Sequence, residues 1–369
     1  MDTLFALTVF LTGLSALCLV MSLVPLVPEP HGMIRSFDFV RLQVFTLSAM
    51  MLIASLVLLW LGDRVAHDLI VLSATMAGVA MLIQFAHILT FTPLWPKQTA
   101  RFTGNLDDVD TISLLVCNVK QSNRDFDKVA SLIKTKKPDI AIFMETDEAW
   151  ANALKPHLSG FADVLSYPQS NSYGLMFASR FTLGEQQIQF LLNDEVPSVS
   201  CTMTLPRGRS VRFVALHPEP PVPVRDTMGR DAEILLIGEK ARNEKMPMIV
   251  TGDLNDVAWS RTTRRFLRLS RLMDPRQGRG VFNSFDARHW FLRWPLDHVF
   301  HSPHFELVTI ERQPFVGSDH FPMYFCFALT GDNENDLPPK AEEDDFNEAD
   351  GIVESEKSRS RKPVGVDWE

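Results

Sequence analysis

Apolar residues are concentrated unevenly along this chain. Thr3–Pro28, Leu42–Gly62 and Leu69–Pro96 each run without an Asp, Glu, Lys or Arg. Each run exceeds the roughly 20 residues that a helix needs to cross the hydrocarbon of a bilayer. No water is available there to backbone groups, so all three are expected to be transmembrane helices. Trp60 and Trp95 stand at run ends, where indole rings favour the membrane interface. Residues 1–97 therefore read as a membrane anchor with the lipid bilayer as partner. A cleaved signal peptide fits poorly, because Met1-Asp2-Thr3 lacks a positive leading segment and further runs follow. His87, inside the third run, is expected to face the other helices, with a functional role as the rarer alternative.

After Pro96 the pattern shortens and alternates. Thr111–Asn118 and Ile140–Glu145 are continuous apolar runs, as buried strands require. Between them, Asp125–Lys136 places Phe126, Val129, Leu132 and Ile133 on one helical face, with Asn123 as cap and Pro138 beyond the end. Asp147–Leu158 and Arg225–Asn243 also read as helices. Strands are expected at Tyr173–Ser179, Ser198–Leu205, Val211–His217, Met248–Gly252, Pro295–His301, Phe305–Glu311 and Phe321–Leu329. A mixture of βα units and consecutive strands predicts an α/β domain of mixed sheets covered by helices over 98–330. Gly331–Glu369 is polar and nearly free of aromatics. It offers too little apolar area to offset its chain entropy, so 331–369 is expected to be a disordered acidic tail.

Charge sharpens this division. The net charge is −9, and the tail holds 13 acidic and 5 basic residues, so its −8 leaves about −1 for the other 330 residues. That balance excludes a strongly basic nucleic-acid binder. Arg35, Arg41, Lys97 and Arg101 would share one side of the membrane with the soluble domain, against Arg64 on the other, which favours a cytoplasmic domain. Cys18, Cys117, Cys201 and Cys326 form no C-x-x-C pair and read as small core residues rather than a zinc or redox site.

The candidate chemistry sits at strand ends. Asn118, Glu145 and His217 end strands, Asp253 and Asn255 follow another, Asp297 begins one, and Ser318-Asp319-His320 precedes the last. Buried charges without partners are costly, so their repetition at strand ends points to convergence. A hard divalent cation with a phosphate fits this oxygen-rich set, magnesium first and manganese as the alternative. Each group also has a plainer explanation. Asn118 fits a turn, Glu145 a helix cap, His217 a bend before Pro218, and Asp253 with Asn255 an Asx turn. Asp297 fits a strand cap, and Asp319 and His320 a surface loop. His298, adjacent to Asp297, should point to the opposite face of its strand. His289, His301 and His304 read as surface or loop residues. Ser260–Arg271 carries Arg261, Arg264, Arg265, Arg268 and Arg271. It fits either a basic helix near phosphate or lipid headgroups, or a helix face balanced by nearby acids.

Leu115-Val116-Cys117-Asn118, Pro138-Asp139-Ile140 and Met144-Glu145 resemble the opening of the endonuclease/exonuclease/phosphatase family. His217-Pro218, Thr251-Gly252-Asp253-Leu254-Asn255, Pro295-Leu296-Asp297-His298 and Ser318-Asp319-His320 continue the resemblance in order. His217-Pro218-Glu219-Pro220-Pro221, behind three membrane runs, resembles its bacterial membrane-anchored branch. The resemblance implies a four-layered α/β sandwich and hydrolysis of a phosphoester by an activated water. It implies Glu145 as principal metal carboxylate, with Asn118 beside it and Asp319 as a further ligand. Asp253 and Asn255 would orient the water and a phosphate oxygen. Asp297 would pair with His320, and His217 would touch the scissile phosphate or its leaving oxygen. The base would be the histidine or the Asp253-type aspartate. Tyr173 would either reach the phosphate or serve the structure. Expected partners are a phosphoester substrate associated with the membrane and, less favoured, nucleic acid. A bacterial inner membrane is the expected location. Anchored relatives often face the domain outward, against the arginine count, so its side stays open.

Overall fold

The computed structural model describes residues 3–61, 66–331 and 337–366. Arg64, used in the charge comparison, and Gly62 lie outside the described residues. The chain divides into two compact units, one of Met1–Trp95 with Val222–Asp226, the other of Pro96–Pro221 with Thr227–Glu369.

In the first unit, α1 (Thr3–Leu23), α3 (Arg41–Trp60) and α4 (His67–Ile88) supply the long apolar helices, with the short α2 (Gly32–Phe39) between the first two. The candidate spans Thr3–Leu26, Arg41–Trp60 and His67–Phe91 are long and apolar enough to cross a membrane. Their contacts use small and polar side chains. Ser73 Oγ lies 2.9 Å from both Ser15 Oγ and Ser55 Oγ. Arg41 donates to Asp38 and to Gln84, whose amide donates to Ser22. Such bonds hold helices together where apolar contact with lipid competes equally well. Arg35 and Arg41 are buried and both pair with Asp38. They are thus committed within the first unit. His87 is half-buried and bonds the Ile83 carbonyl of its own helix.

The second unit has two mixed sheets. One orders β10 (Phe305–Arg312), β11 (Met323–Leu329), β1 (Asp110–Asn118), β2 (Ile140–Met144), β4 (Leu175–Ser179) and β3 (Asp163–Tyr167). The other orders β5 (Leu183–Phe190), β6 (Pro197–Thr204), β7 (Ser210–Leu216), β8 (Met248–Asp253) and β9 (Asp297–His301). The period of two sorts each strand between two cores. Ile112, Leu114 and Val116 join Ile142, Phe213 and Ile249 between the sheets. Leu115 and Cys117 face outward onto α5 (Phe126–Lys136) and α6 (Glu148–Leu154), through Val129, Ile133 and Trp150. Val214 and Val250 face α7 (Met228–Asn243) and α8 (Arg261–Ser270), through Ile234, Ile237 and Phe266. The result is the expected α/β sandwich: two mixed sheets flanked by helices.

Some expectations fail. Two of the four edge strands, β3 and β5, are not legible in the sequence: β3 is buried at no position and β5 is mostly exposed and polar. The tail is not disordered throughout: Glu343–Lys357 forms α9. Ala349 and Val353 pack with Ala232 and Leu235 of α7 and Leu269 of α8. Arg265 and Arg268 ion-pair with Asp345, and Arg261 and Arg265 with Glu348. Burial plus paired charge offsets the chain entropy that composition alone weighed. His301 is not on the surface. It is fully buried on β9, accepting from Thr99 Oγ1 at Nε2 while Nδ1 donates to the Ser302 carbonyl. Burial pushes its pKa down to about 4.

Candidate active site

Alternation along the strands also assembles the site. Asn118 shares the parity of Val116, and Asp253 that of Ile249, so both point between the sheets at the ends of β1 and β8. His217 continues the odd positions of β7, and Asp297 shares the face of Val299. β1 pairs with β2, β7 with β8, and β8 with β9, with Asp253 directly opposite Asp297. Two independent sheets therefore deliver polar groups to one rim. Glu145 departs from the strand pattern. At φ 58° it lies in the left-handed region, where the chain turns out of β2. Gly252 has φ 144°, and a Cβ there would lie 1.8 Å from the Leu216 carbonyl oxygen, so glycine is required where β7 and β8 close together.

The groups meet. Asn118 Nδ2 donates to Glu145 Oε1 at 2.8 Å and to Asp253 Oδ2 at 3.0 Å. The second Glu145 oxygen accepts from the Gln121 amide. Asn255 donates its backbone amide to Asp253 Oδ1 at 3.0 Å and its side-chain amide to the Pro218 carbonyl. His320 Nδ1 donates to Asp297 Oδ2 at 2.8 Å, and Nε2 faces Asp253 Oδ2 at 3.3 Å. His217 Nε2 lies 3.9 Å from the same oxygen. Asp319 pairs with Lys120 Nζ at 2.8 Å. Ser318 Oγ, donating to the Asn118 carbonyl, ties this turn to β1. Glu145, His217, Asp253, Asn255, Asp319 and His320 share one cavity of about 770 Å³.

Electrostatics divides these groups. Burial alone would lower the His320 pKa, but Asp253 and Asp297 outweigh it and raise the pKa to about 10. His217 has a depressed pKa because burial disfavours its cation more than Asp253 restores it. Burial raises the pKa of Asp253, with His320 opposing and Asp297 reinforcing. Glu145 is likewise raised by desolvation, opposed by the Asn118 amide and the His320 charge. His217 Nδ1 and Asp297 Oδ1 are buried without a hydrogen-bond partner among the described residues.

Asp253, Asp297 and His320 present ligand atoms within 4.8 Å of one another, close enough to hold a metal ion. His320 already bonds Asp297 and faces Asp253, so a dication there would have to displace the imidazole from both carboxylates. Asn118 turns its Nδ2 to Glu145 and its Oδ1 to the Lys120 backbone amide, so its side-chain amide would have to flip to offer an oxygen; Glu145 fits a hard cation better than the triad does. Its carboxylate is desolvated, and no Lys, Arg or His donates to it among the described residues. A magnesium ion commonly takes one or two carboxylates besides water and substrate phosphate oxygens.

Other residues sort clearly. His298 points to the opposite face. Its Nδ1 accepts from Arg276 and its Nε2 donates to the Asp256 carbonyl, which requires the neutral ring. Tyr173 is buried beside His217, with ring centroids 5.9 Å apart, and its hydroxyl donates to the Val364 carbonyl. Sequence reasoning missed Lys120 and the C-terminal residues Val364 and Gly365 on the cavity wall. Lys120 lies two residues beyond Asn118 in a turn with φ 58°, and no pattern in the sequence joins the tail to the site.

A two-sheet sandwich gathers acid, amide and imidazole groups on one rim, a set suited to hydrolysis. The Endonuclease/Exonuclease/phosphatase family model matches residues 115–320. The chain belongs to that family, whose members are hydrolytic phosphoesterases and nucleases that generally use a divalent metal. No curated protein matches the chain. Among solved structures it is similar to an endonuclease/exonuclease/phosphatase from Beutenbergia cavernae, at 16% identity over 60% of this chain and 72% of that one, TM-score 0.47. The human Nocturnin catalytic domain is similar at 17% identity over 60% and 97%, TM-score 0.49. A mannosyl-6-phosphatase from Bacteroides thetaiotaomicron is similar at 18% identity over 58% and 99%, TM-score 0.46.

Proposed function

We propose that this chain is a membrane-anchored, magnesium-dependent phosphoester hydrolase acting on a phosphoester presented at the bilayer. The observation that carries the reading is the convergence of Glu145, His217, Asp253, Asn255, Asp319 and His320 on one cavity, with Asn118 bonded to Glu145 and Asp253 behind it. Three helices long and apolar enough to span a membrane supply the anchor, in a bacterial inner membrane. Glu145 and Asn118, with Asp319 nearby, would hold the ion, which supplies Lewis-acid stabilisation of a phosphate oxygen and of the attacking water. Manganese would serve in its place.

The residues then divide the work. His320, held as a cation by two carboxylates, is a poor base and instead stabilises negative charge. Asp253, buried and of raised pKa, is the better acceptor for the proton of the attacking water. Asn255 fixes its second oxygen. Asp297 orients His320 through Nδ1. His217, uncharged by virtue of its burial, is placed to contact the phosphate or its leaving oxygen.

A membrane-bound nuclease is the second reading, supported by the family's nuclease members. The absence of a positive balance over 98–330 weighs against it, because nucleic-acid affinity rests on many Lys and Arg contacts. A catalytically silent binding module is the third. It is disfavoured because no expected catalytic position carries an apolar residue. Detergent-solubilised protein is tested for magnesium-dependent hydrolysis of generic monoesters and diesters, lipid phosphates and plasmid DNA. Glu145→Ala is the inactive control. Cleavage of DNA without lipid phosphate would reverse the order of the first two readings. Inertness of folded protein on every ester would favour the third.

A further inference from the structure

The last residues described turn back from α9 toward the cavity. Arg361 is the pin. Its guanidinium meets Glu219 Oε1 at 2.9 Å and Glu356 Oε1 at 2.6 Å. Its carbonyl accepts from Asn193 Nδ2 at 3.1 Å. Glu219 is buried, two residues beyond His217, and also accepts from the Val364 backbone amide. The Val364 carbonyl accepts from Tyr173 Oη. Val364 is 4% exposed, and with Gly365 it forms cavity wall beside Tyr173 and Pro220. Gly229 of α7 makes room for the pin. A Cβ there would stand 2.3 Å from Arg361 Nη2 and 2.8 Å from the Glu219 carboxyl carbon.

We propose that Arg361–Gly365 is a specificity-determining strap that walls the cavity beside His217 and restricts it to phosphoesters with one bulky substituent. The inference rests on the hydrolase reading and names its substrate class. A polymer must continue past the scissile phosphate in both directions, and a wall at Val364 and Gly365 would close one side of the cavity to it. A terminal phosphate or a compact diester on a single lipid or sugar carrier needs only one path. The strap is firmly held: a fork of charge-assisted bonds, two backbone carbonyls and one backbone amide are all satisfied by the folded domain.

The test compares the full chain with a chain ending at Ser360, which keeps α9, and with Gly229→Ala, which displaces the pin and leaves the cavity residues unchanged. Hydrolysis of p-nitrophenyl phosphate is measured against cleavage of an internal phosphodiester in an oligonucleotide. Both changes should raise the ratio of internal to compact cleavage at least tenfold. Backbone amide exchange at Tyr173 and Glu219 should quicken at least tenfold in both. A ratio within twofold of the full chain, in protein whose unfolding transition is retained, overturns the proposal. Unchanged exchange overturns it as well, even if the full chain hydrolyses neither ester. That last result with quickened exchange would instead refute the hydrolase reading and uphold the strap as a cavity wall.

Discussion

Replacing Asp297 by asparagine keeps the outline of the side chain and removes one of the two charges that hold His320. The bond affected is 2.8 Å long, while Asp253 faces the other ring nitrogen at 3.3 Å and remains. At an effective dielectric of about 20, unit charges at the shorter separation attract by roughly 6 kcal/mol, which is a ceiling. Breaking a buried pair costs about 3–5 kcal/mol net. Asparagine still offers an acceptor to Nδ1, so a loss of about 2–3 kcal/mol is expected. For a domain of this size each kcal/mol moves Tm by about 2–4 °C, giving a fall of roughly 4–12 °C at pH 7. The pH dependence follows from the raised pKa. His320 titrates near 6.5 when unfolded and at about 10 when folded. Its stabilisation is complete below pH 6.5 and is lost as pH rises through about 10. The gap between parent and Asp297→Asn should therefore be wide at neutrality and close by pH 10.5. Thermal unfolding of the solubilised chain, with a chelator present so that no ion shifts the titration, measures both. A gap that stays constant from pH 7 to 10.5, or one below about 1 °C at pH 7, would refute the reasoning.

Glu145→Ala should reduce magnesium-dependent ester hydrolysis by about 10³-fold or more, since it removes the principal carboxylate offered to the ion. Added magnesium should raise Tm in the parent and leave this variant unmoved, as expected when a ligand binds only one of them. Gly252→Ala should destabilise by at least about 3 kcal/mol and depress the yield of folded protein, because the new Cβ meets the Leu216 carbonyl at φ 144°. Denaturant midpoints check this, and a change under about 1 kcal/mol would contradict the steric argument. Asp345→Ala should loosen α9 by on the order of 1 kcal/mol once solvent screening is allowed for. Hydrogen bonds from Arg268 lead in holding the Asp345 pKa down at about 2, so this contribution is present above the ordinary carboxylate value and is lost as pH falls toward 2. Amide exchange within Glu343–Lys357 reads the effect at neutral pH and in acid. No difference from the parent would show that the apolar contacts alone hold the helix.

Legibility followed burial. Strands packed on both faces announced themselves as unbroken apolar runs, as in Ile140–Met144, where every residue is buried. β5 lacks that signal because it is covered on neither face over much of its length and leaves Glu185, Gln186 and Gln187 exposed, whereas β9, also at a sheet edge, is buried throughout. The site was legible for the opposite reason. Charged and amide residues interrupt apolar runs only where something offsets their desolvation, so Asn118, Asp253 and Asp297 stood out against their strands. Lys120 and Val364 interrupt nothing, and only the folded chain places them on the cavity.

The acidic tail misled where the arginine-rich helix did not, since a helix face balanced by nearby acids was one of its two readings and is the one the structure bears out. Taken alone, Arg261, Arg265 and Arg268 look like a surface awaiting phosphate, and Glu343–Glu356 looks too charged to fold. Each supplies what the other lacks. Asp345 and Glu348 stand one helical turn apart on α9, and the three arginines stand three or four residues apart on α8, so one ladder of opposite charges can form with Ala349 and Val353 packed beneath it. Composition sums such charges over a segment, whereas folding pairs them between segments distant in sequence. The near-neutral balance computed without the tail is therefore not the charge of the folded domain. Counting α9 with the unit it docks on makes that unit markedly acidic, and this strengthens the case against a polyanionic substrate.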